Sequence, residues 1–439
     1  MTDQTAGGTT ETATGAQPPR RSRWGVLWTH ADFMKFWAGE TVSLFGTQVT
    51  SLALPLTAII VLHATPGQLG VIRFLQTVPF LLLALLIGAW VDRRRKRPVM
   101  IGSNAARFVL VGLVPILAVA GALDMPILYL LAFGFGVATV FFDVCWMSYV
   151  PSLVGKDQLA EANSKVSTSY AVADVSGPGL GGVLVQLLGA PKAMAADALS
   201  YLVSIGTLLA IKTEEPAPER PAERHLLAEI REGLQLVLGN RYVRATTTQG
   251  GLWNFCYIMT DTIFLLYAIR ELHFTPSLVG LVIGVGMTGG IIGSALASSF
   301  SRRFRYGPTI MIACGFGTLP TFLIPAAQGS RALLAVLFMV AYFLVRFGAV
   351  TANVLMITLR QTVTPARLLG RMNAAARTVL YTGGALGAIA AGLLGSTIGL
   401  RNTLWVAAVG FALTLTPLLL SPIPALRELP PPPTEPDWG

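Results

Sequence analysis

Twelve apolar runs punctuate the chain, each long enough to cross a lipid bilayer, and this pattern constrains the fold more than any other feature of the 439 residues. A bilayer core about 30 Å thick takes roughly 20 apolar residues in a helix, and no water there satisfies an exposed peptide group, so each run has to be helical. The runs fall near 36–62, 67–91, 98–120, 127–150, 166–188, 193–211, 246–269, 277–299, 308–327, 332–357, 373–397 and 402–421. Charged residues are accordingly scarce, 12% of the chain against roughly 25% in soluble domains.

The net charge of +10 does not point to nucleic acid, because the bases lie between apolar segments and not across a solvated face. Cys145, Cys256 and Cys314 all lie within apolar runs without a CxxC spacing, which argues against a disulfide framework or a metal site. Four scattered histidines form no catalytic or metal constellation, and a nucleotide-binding P-loop is missing, so neither an enzyme nor an ATP-driven pump is expected, and no cofactor.

Lysine and arginine set the expected orientation. The loops on one side of the membrane hold only Lys192, Arg270, Arg331 and Arg401, while the opposite loops and the termini hold about 25 of the 32 bases. Both termini are then cytoplasmic by the positive-inside bias, and "RRRKR" at 93–97 anchors a helix end at anionic lipid. Residues 1–23, rich in Thr, Gly and Ala without an apolar h-region, read as a disordered cytoplasmic tail.

The longest polar stretch, 212–245, divides the segments six and six. Its "LLAEIREGLQLVL" places Leu227, Ile230, Leu234 and Leu238 at helical spacing, which predicts an amphipathic helix along the membrane interface. Shifting the chain by 210 residues pairs Pro66 with Pro276, Gly70 with Gly280, Pro98 with Pro308, Asn163 with Asn373, Gly177 with Gly387, Gly182 with Gly392 and Gly189 with Gly399. Turn prolines and helix glycines at one offset indicate duplication. The expected architecture is an all-α membrane protein: a six-helix bundle over 24–212, a cytoplasmic linker over 213–243, a second, pseudo-symmetric bundle over 244–422 and a Pro-rich cytoplasmic tail over 423–439. Two parallel repeats around a midplane site are a transporter design.

The segment 2–3 loop carries Gly88, Asp92, Arg93, Lys96 and Arg97. It resembles the Gly-x-x-x-Asp-Arg-x-Gly-Arg-Lys/Arg motif of the major facilitator superfamily, with Arg95 in place of the second glycine. In segment 5, Gly177, Pro178, Gly181 and Gly182 resemble that superfamily's Gly-Pro-x-x-Gly-Gly exporter signature, and phrases such as "FWAGETVSLFGTQVTSLALPL" and "RLLGRMNAAARTVLYTGG" resemble the branch of macrolide and enterobactin exporters. The resemblance implies a gate latch. Asp92 would face the positive N-terminal end of segment 11, near 371–373, where unpaired amides favour a carboxylate. Gly88 would let segment 2 approach a neighbour, and Arg93 or Arg97 would pair with Asp143. Pro178 and its glycines would pack segment 5 against the small residues of segment 8, where Gly284, Gly286 and Gly289 serve helix packing and not dinucleotide binding.

Charges inside the bilayer are costly and therefore functional candidates. Asp174 is the most central acid, followed as a proton carrier by Asp261 and Glu40; Asp197 is expected only to cap its helix or pair with Lys192. Arg73 and Arg107 are expected to snorkel to opposite interfaces, whereas Arg346 should face the cavity. Segment 4 lacks the arginine that many proton-driven exporters of the resembling family carry there. Trp253 and Tyr257, one turn apart, with Asn254 and with Trp146 on segment 4, are candidate walls for an amphipathic ligand. The expected function is export of a hydrophobic or amphipathic small molecule by proton antiport, with membrane lipid and protons as further partners and a monomeric state. A siderophore or metabolite exporter, or an importer on the same fold, is the alternative.

Overall fold

The computed structural model describes residues 27–155, 157–215 and 226–431. The expected tail over 1–23, residues 216–225 of the linker and the last eight residues lie outside them. Among the described residues, twelve helical segments are long and apolar enough to span a membrane: α1 Ala31–Ile60, α2 Pro66–Val91, α3 Lys96–Val119, α4 Met125–Leu153, α5 Leu159–Leu188, α6 Ala190–Ala210, α7 Arg241–Arg270, α8 Pro276–Arg303, α9 Tyr306–Ala326, α10 Arg331–Thr362, α11 Leu369–Thr397 and α12 Leu400–Leu419. The linker helix, Leu226–Gly239, stands between α6 and α7.

Several helices run past their apolar stretch. α5 starts at Leu159, seven residues before its apolar run, and carries Glu161, Asn163 and Lys165 in its first turns. Helical hydrogen bonding continues into the polar interface because nothing there breaks it. α9 is interrupted after Phe316 by a 3-10 turn, Leu319–Phe322, before a last short turn. Pro320 cannot donate to a regular ladder, and Gly317 accepts the close approach of the α10 backbone at Gly348 and Ala349.

The two bundles repeat each other down to their turns. Thr65 and Thr275 cap α2 and α8 by accepting from Gln68 N and Leu278 N, both at 3.3 Å. His63 and His273 precede them with φ of 50° and 51°, and Gly189 and Gly399 turn the chain with φ of 85° and 84°. Each pair is 210 residues apart, the offset read from the sequence.

The first bundle packs α1 on α5 and α6, α2 on α4, and α3 on α4 and α6; the second packs α7 on α11 and α12, and α8 on α10. The bundles meet through α2 against α11 and α5 against α8. Loops after α2, α4, α8 and α10 share one end with the described chain ends, where Leu27 N donates to Glu161 and Tyr306 N to the Arg427 carbonyl; this is called the basic end. At the opposite, far end one apolar core joins both bundles, from Leu54 and Ile72 to Phe264 and Phe338. At the basic end the core splits into one cluster around Phe36, Phe142 and Tyr149 and another around Ile310, Leu359 and Met372. The molecule is therefore closed at the far end and parted at the basic end.

The linker helix buries Leu236 and Val237 in the second bundle, while Leu234 and Leu238 of the expected interfacial face are both exposed. Gly233 abuts the Arg371 carbonyl at the start of α11, and Glu232 forms an ion pair with the Arg371 side chain. The side chains of Leu227 and Ile230 lie outside the description. Residues 423–431 also do not simply trail away, since Ile423 is fully buried and the carbonyls of Leu426 and Arg427 accept hydrogen bonds from Gly307 and Tyr306. These bonds satisfy amides of the first turn of α9 that have no helical partner.

Candidate transport site and gates

In the second bundle, α7, α9, α10 and α11 enclose a cavity of about 230 Å3 bordered by Gln249, Trp253, Asn254, Arg346, Asn353 and Leu380. Trp253 and Tyr257, four residues apart and so on one helical face, stack with ring centroids 5.0 Å apart and planes 4° from parallel. The indole N–H of Trp253 donates to the Gly317 carbonyl at 3.1 Å, an acceptor that the break in α9 leaves free, so the ring is fixed in orientation. Arg346 does not reach an interface. It donates to the Tyr257 hydroxyl and lies over the Tyr257 ring at 4.6 Å. Asn254 donates to the Leu380 carbonyl at 2.6 Å, which ties α7 to α11 and draws the amide away from any ligand. Trp146 stands apart in the first bundle, edge-on to Tyr170 at 5.8 Å.

Asp174 on α5 is exposed and accepts from Gln48 on α1. Asp261 is held differently. Its carboxylate pairs with Arg73 of α2 at 2.8 Å, so Arg73 does not snorkel but closes an ion pair between the two bundles. Beside it, the Arg270 guanidinium donates to the Ala64 carbonyl at 2.9 Å, a second tie across the far end.

Close backbone contact completes that seal. A Cβ on Gly70 would lie 2.5 Å from the Ala388 carbonyl of α11, and a Cβ on Gly182 would lie 2.5 Å from the Pro276 carbonyl of α8. A Cβ on Gly280 would meet the Pro178 carbonyl, and one on Gly284 the Val175 carbonyl at 2.6 Å. The segment 5 motif thus packs on α8 as expected through Gly182, while Gly177 and Gly181 face Gln48 and Val49 of α1. Gly286 and Gly289 admit Tyr342 and Phe343 of α10.

The loop motif lies at the basic end. A Cβ on Gly88 would meet nothing within 4 Å, and Arg93 is exposed. The backbone amides of Lys96 and Arg97 donate to Glu215 at 2.5 and 3.1 Å, and the Arg97 guanidinium donates to the Leu209 carbonyl at 2.9 Å. Asp92 ends α2. Asp143 pairs with neither Arg93 nor Arg97; its partner is Arg107 of α3 at 3.8 Å. Arg97 is instead committed to the Leu209 carbonyl, and Arg107 already occupies the Asp143 carboxylate.

Sequence reasoning missed a buried polar cluster in the first bundle. Arg107, expected at an interface, is only 4% exposed. It lies over the Phe142 ring at 4.3 Å and donates to the Thr139 carbonyl at 3.3 Å. Asn104, one turn earlier on α3, donates to Ser204 of α6 at 2.8 Å. Asp197 is fully buried and accepts from Ser200 at 3.2 Å and Tyr201 at 3.1 Å. Glu40 of α1 is buried as well, at 6% exposure. Asn104 and Arg107 at i and i+3, on the face opposite lipid, were the available signal.

A two-bundle helical fold around a polar, aromatic cavity is the architecture of a membrane transporter. The model of the Major Facilitator Superfamily matches residues 36–388, and the chain belongs to that family. It is a multi-pass protein of the cell membrane. It is 25% identical over 415 residues to the enterobactin exporter EntS of Citrobacter koseri, covering 93% of this chain and 96% of that one. It is 27% identical over 400 residues to the multidrug efflux pump Tap of Mycolicibacterium fortuitum, covering 88% and 93%. Among solved structures, a bacterial homologue of the iron transporter ferroportin in its inward-facing state superposes with a TM-score of 0.72 at 16% identity, over 88% of this chain and 98% of that chain.

Proposed function

We propose that this transporter exports a hydrophobic or amphipathic small molecule in exchange for protons, with the basic end cytoplasmic. The observation that carries the reading is Trp253, held flat against Tyr257 and bordering the cavity of the second bundle together with Arg346. Flat aromatic walls supply burial and stacking to varied ligands, while a few fixed polar groups orient them. The loops at the basic end hold the excess of Lys and Arg, which supports that orientation, so the parted end would receive ligand from the cytoplasm. The names of the relatives support export and a small-molecule cargo.

Asp174, Asp261 and Glu40 are the acids on which a transmembrane pH gradient could act, a reading supported by the hydrogen bond of Asp174 with Gln48, the ion pair of Asp261 with Arg73, and the burial of Glu40 with Oε2 unpartnered. Alternating access would rock residues 24–212 against 244–422 about the glycine contacts of α2 with α11 and α5 with α8. Uptake of a panel of amphipathic compounds into everted membrane vesicles, with and without an imposed pH gradient, tests direction, coupling and ligand class together. Accumulation only with an acidic lumen is expected; equal accumulation without a gradient removes proton antiport, and uptake confined to right-side-out vesicles removes export.

A further inference from the structure

The cavity of the second bundle carries a positive charge that its own walls do not match. Arg346 and Asn353 are seven residues apart on α10, two helical turns and so on one face, and both border the cavity. α7 adds Gln249 and Asn254, so the wall holds one guanidinium and three amides, with no Asp or Glu among its described residues. Arg346 is fixed by Tyr257, whose hydroxyl accepts from it and whose ring centre lies 4.6 Å from its guanidinium carbon. Both contacts orient the cation without neutralising it. Its Nε is buried without a hydrogen-bond partner, and among the described residues no carboxylate pairs with it. Two acids of neighbouring elements are already engaged. Asp261 borders a small adjoining space with Arg346, but its carboxylate holds Arg73 at 2.8 Å, and one acid cannot balance two arginines. Asp174 belongs to α5 of the other bundle and accepts from Gln48. A cation at membrane depth without a counter-charge is costly, and a bound anion removes that cost.

We propose that the cargo is an amphipathic anion, a carboxylate or similar acid group on an aromatic body, and that Arg346 binds its charged end. The body then lies along Trp253 and the apolar wall of Val350, Met356 and Leu380. A guanidinium presents a planar fork of donors that matches a carboxylate, and a charge-assisted contact of this kind is about twice as strong as one between neutral groups. Tyr257 holds the fork in place beforehand, so little side-chain freedom is lost on binding. The amides of Gln249 and Asn353 supply further donors on the same wall. A cationic amphipath is rejected at the same place, because its ammonium group meets Arg346 where water is scarce and no acid offsets the repulsion. The cavity thus selects by the sign of charge as well as by apolar character.

This cargo class rests on the cavity being the transport site, and the two fail separately. Equilibrium dialysis of the full chain in lipid nanodiscs, set against empty nanodiscs at neutral pH, compares three probes with one aromatic body: naphthylacetate, its methyl ester and naphthylethylamine. The carboxylate is expected to bind about tenfold more tightly than the ester, and the amine more weakly than either. Arg346→Gln should bring the carboxylate down to the affinity of the ester. Arg346→Lys keeps the charge without the planar fork and should retain a smaller preference. Trp253→Ala should weaken carboxylate and ester alike. The ratio of carboxylate to ester on the unaltered chain, and its reduction in Arg346→Lys, decide the case even where Arg346→Gln does not fold. An amine bound as tightly as the carboxylate, a carboxylate preference that survives Arg346→Gln, or no binding of the carboxylate overturns the assignment. Carboxylate and ester bound alike, and both weakened by Trp253→Ala, remove the anion and leave the cavity as the cargo site. A carboxylate preference lost in Arg346→Gln, with no accumulation of amphipaths in everted vesicles, keeps the anion site and removes export.

Discussion

The Arg73 guanidinium meets the Asp261 carboxylate at 2.8 Å across the boundary between the two bundles. α2 and α7 contribute one side chain each, and opening the far end has to separate them. The pair lies on the same boundary as the glycine contacts of α2 with α11 and of α5 with α8.

Neutralising that pair should therefore bias the transporter toward far-end opening. Hydrogen bonds between charged groups contribute about 1.5–3 kcal/mol, and the partial exposure of this pair, 22% and 24%, places it toward the lower bound. Asp261→Asn is expected to raise the far-end-open population about tenfold, the equivalent of about 1.4 kcal/mol. The check is the labelling rate of a cysteine placed on the far-end face of α7; an unchanged rate rejects the tie.

Glycine substitutions should divide by position. Gly70→Ala drives a methyl into the Ala388 carbonyl, and Gly280→Ala does the same at Pro178, so both should block far-end closure and reduce flux severalfold. Gly206→Ala has open space around it and should be neutral or stabilising by about 0.5–1 kcal/mol, as expected for a helix interior. Flux and thermal unfolding of the three variants in parallel decide the matter; equal effects at all three sites contradict close backbone approach as the reason for the glycines.

Removing one wall of the cavity should weaken ligand retention without loss of folding. Trp253→Ala deletes the ring stacked on Tyr257, and an aromatic contact of that kind contributes about 0.5–1.5 kcal/mol beyond burial. Affinity for amphipathic substrates should fall about tenfold, measured by equilibrium binding to purified protein, while Trp146→Ala should leave it nearly unchanged.

Asp92→Asn is expected to impair transport while expression and membrane insertion stay intact, if the carboxylate at the end of α2 serves the proposed latch. Asp174→Asn should release flux from the pH gradient, since Asp174 is an exposed acid in a membrane-spanning helix. Vesicle transport assays under an imposed gradient check both, and a gradient-driven Asp174→Asn variant assigns proton coupling to another acid.

Twelve apolar runs, the offset of 210 residues and the capping residues of the turns determined the helices and their duplication without reference to any contact. That reading succeeded because lipid leaves the backbone no other way to satisfy its polar groups, and because turn residues such as Pro66 and Pro276, Gly189 and Gly399 act through neighbours close in the chain. Which buried charges meet was decided only by tertiary structure. Arg73 and Asp261 are 188 residues apart, and Arg107 lies 36 residues from Asp143; snorkelling and burial look alike in a single helix. The direction a side chain takes depends on whether a partner helix offers a counter-charge or a carbonyl, and that is a property of the assembled bundles.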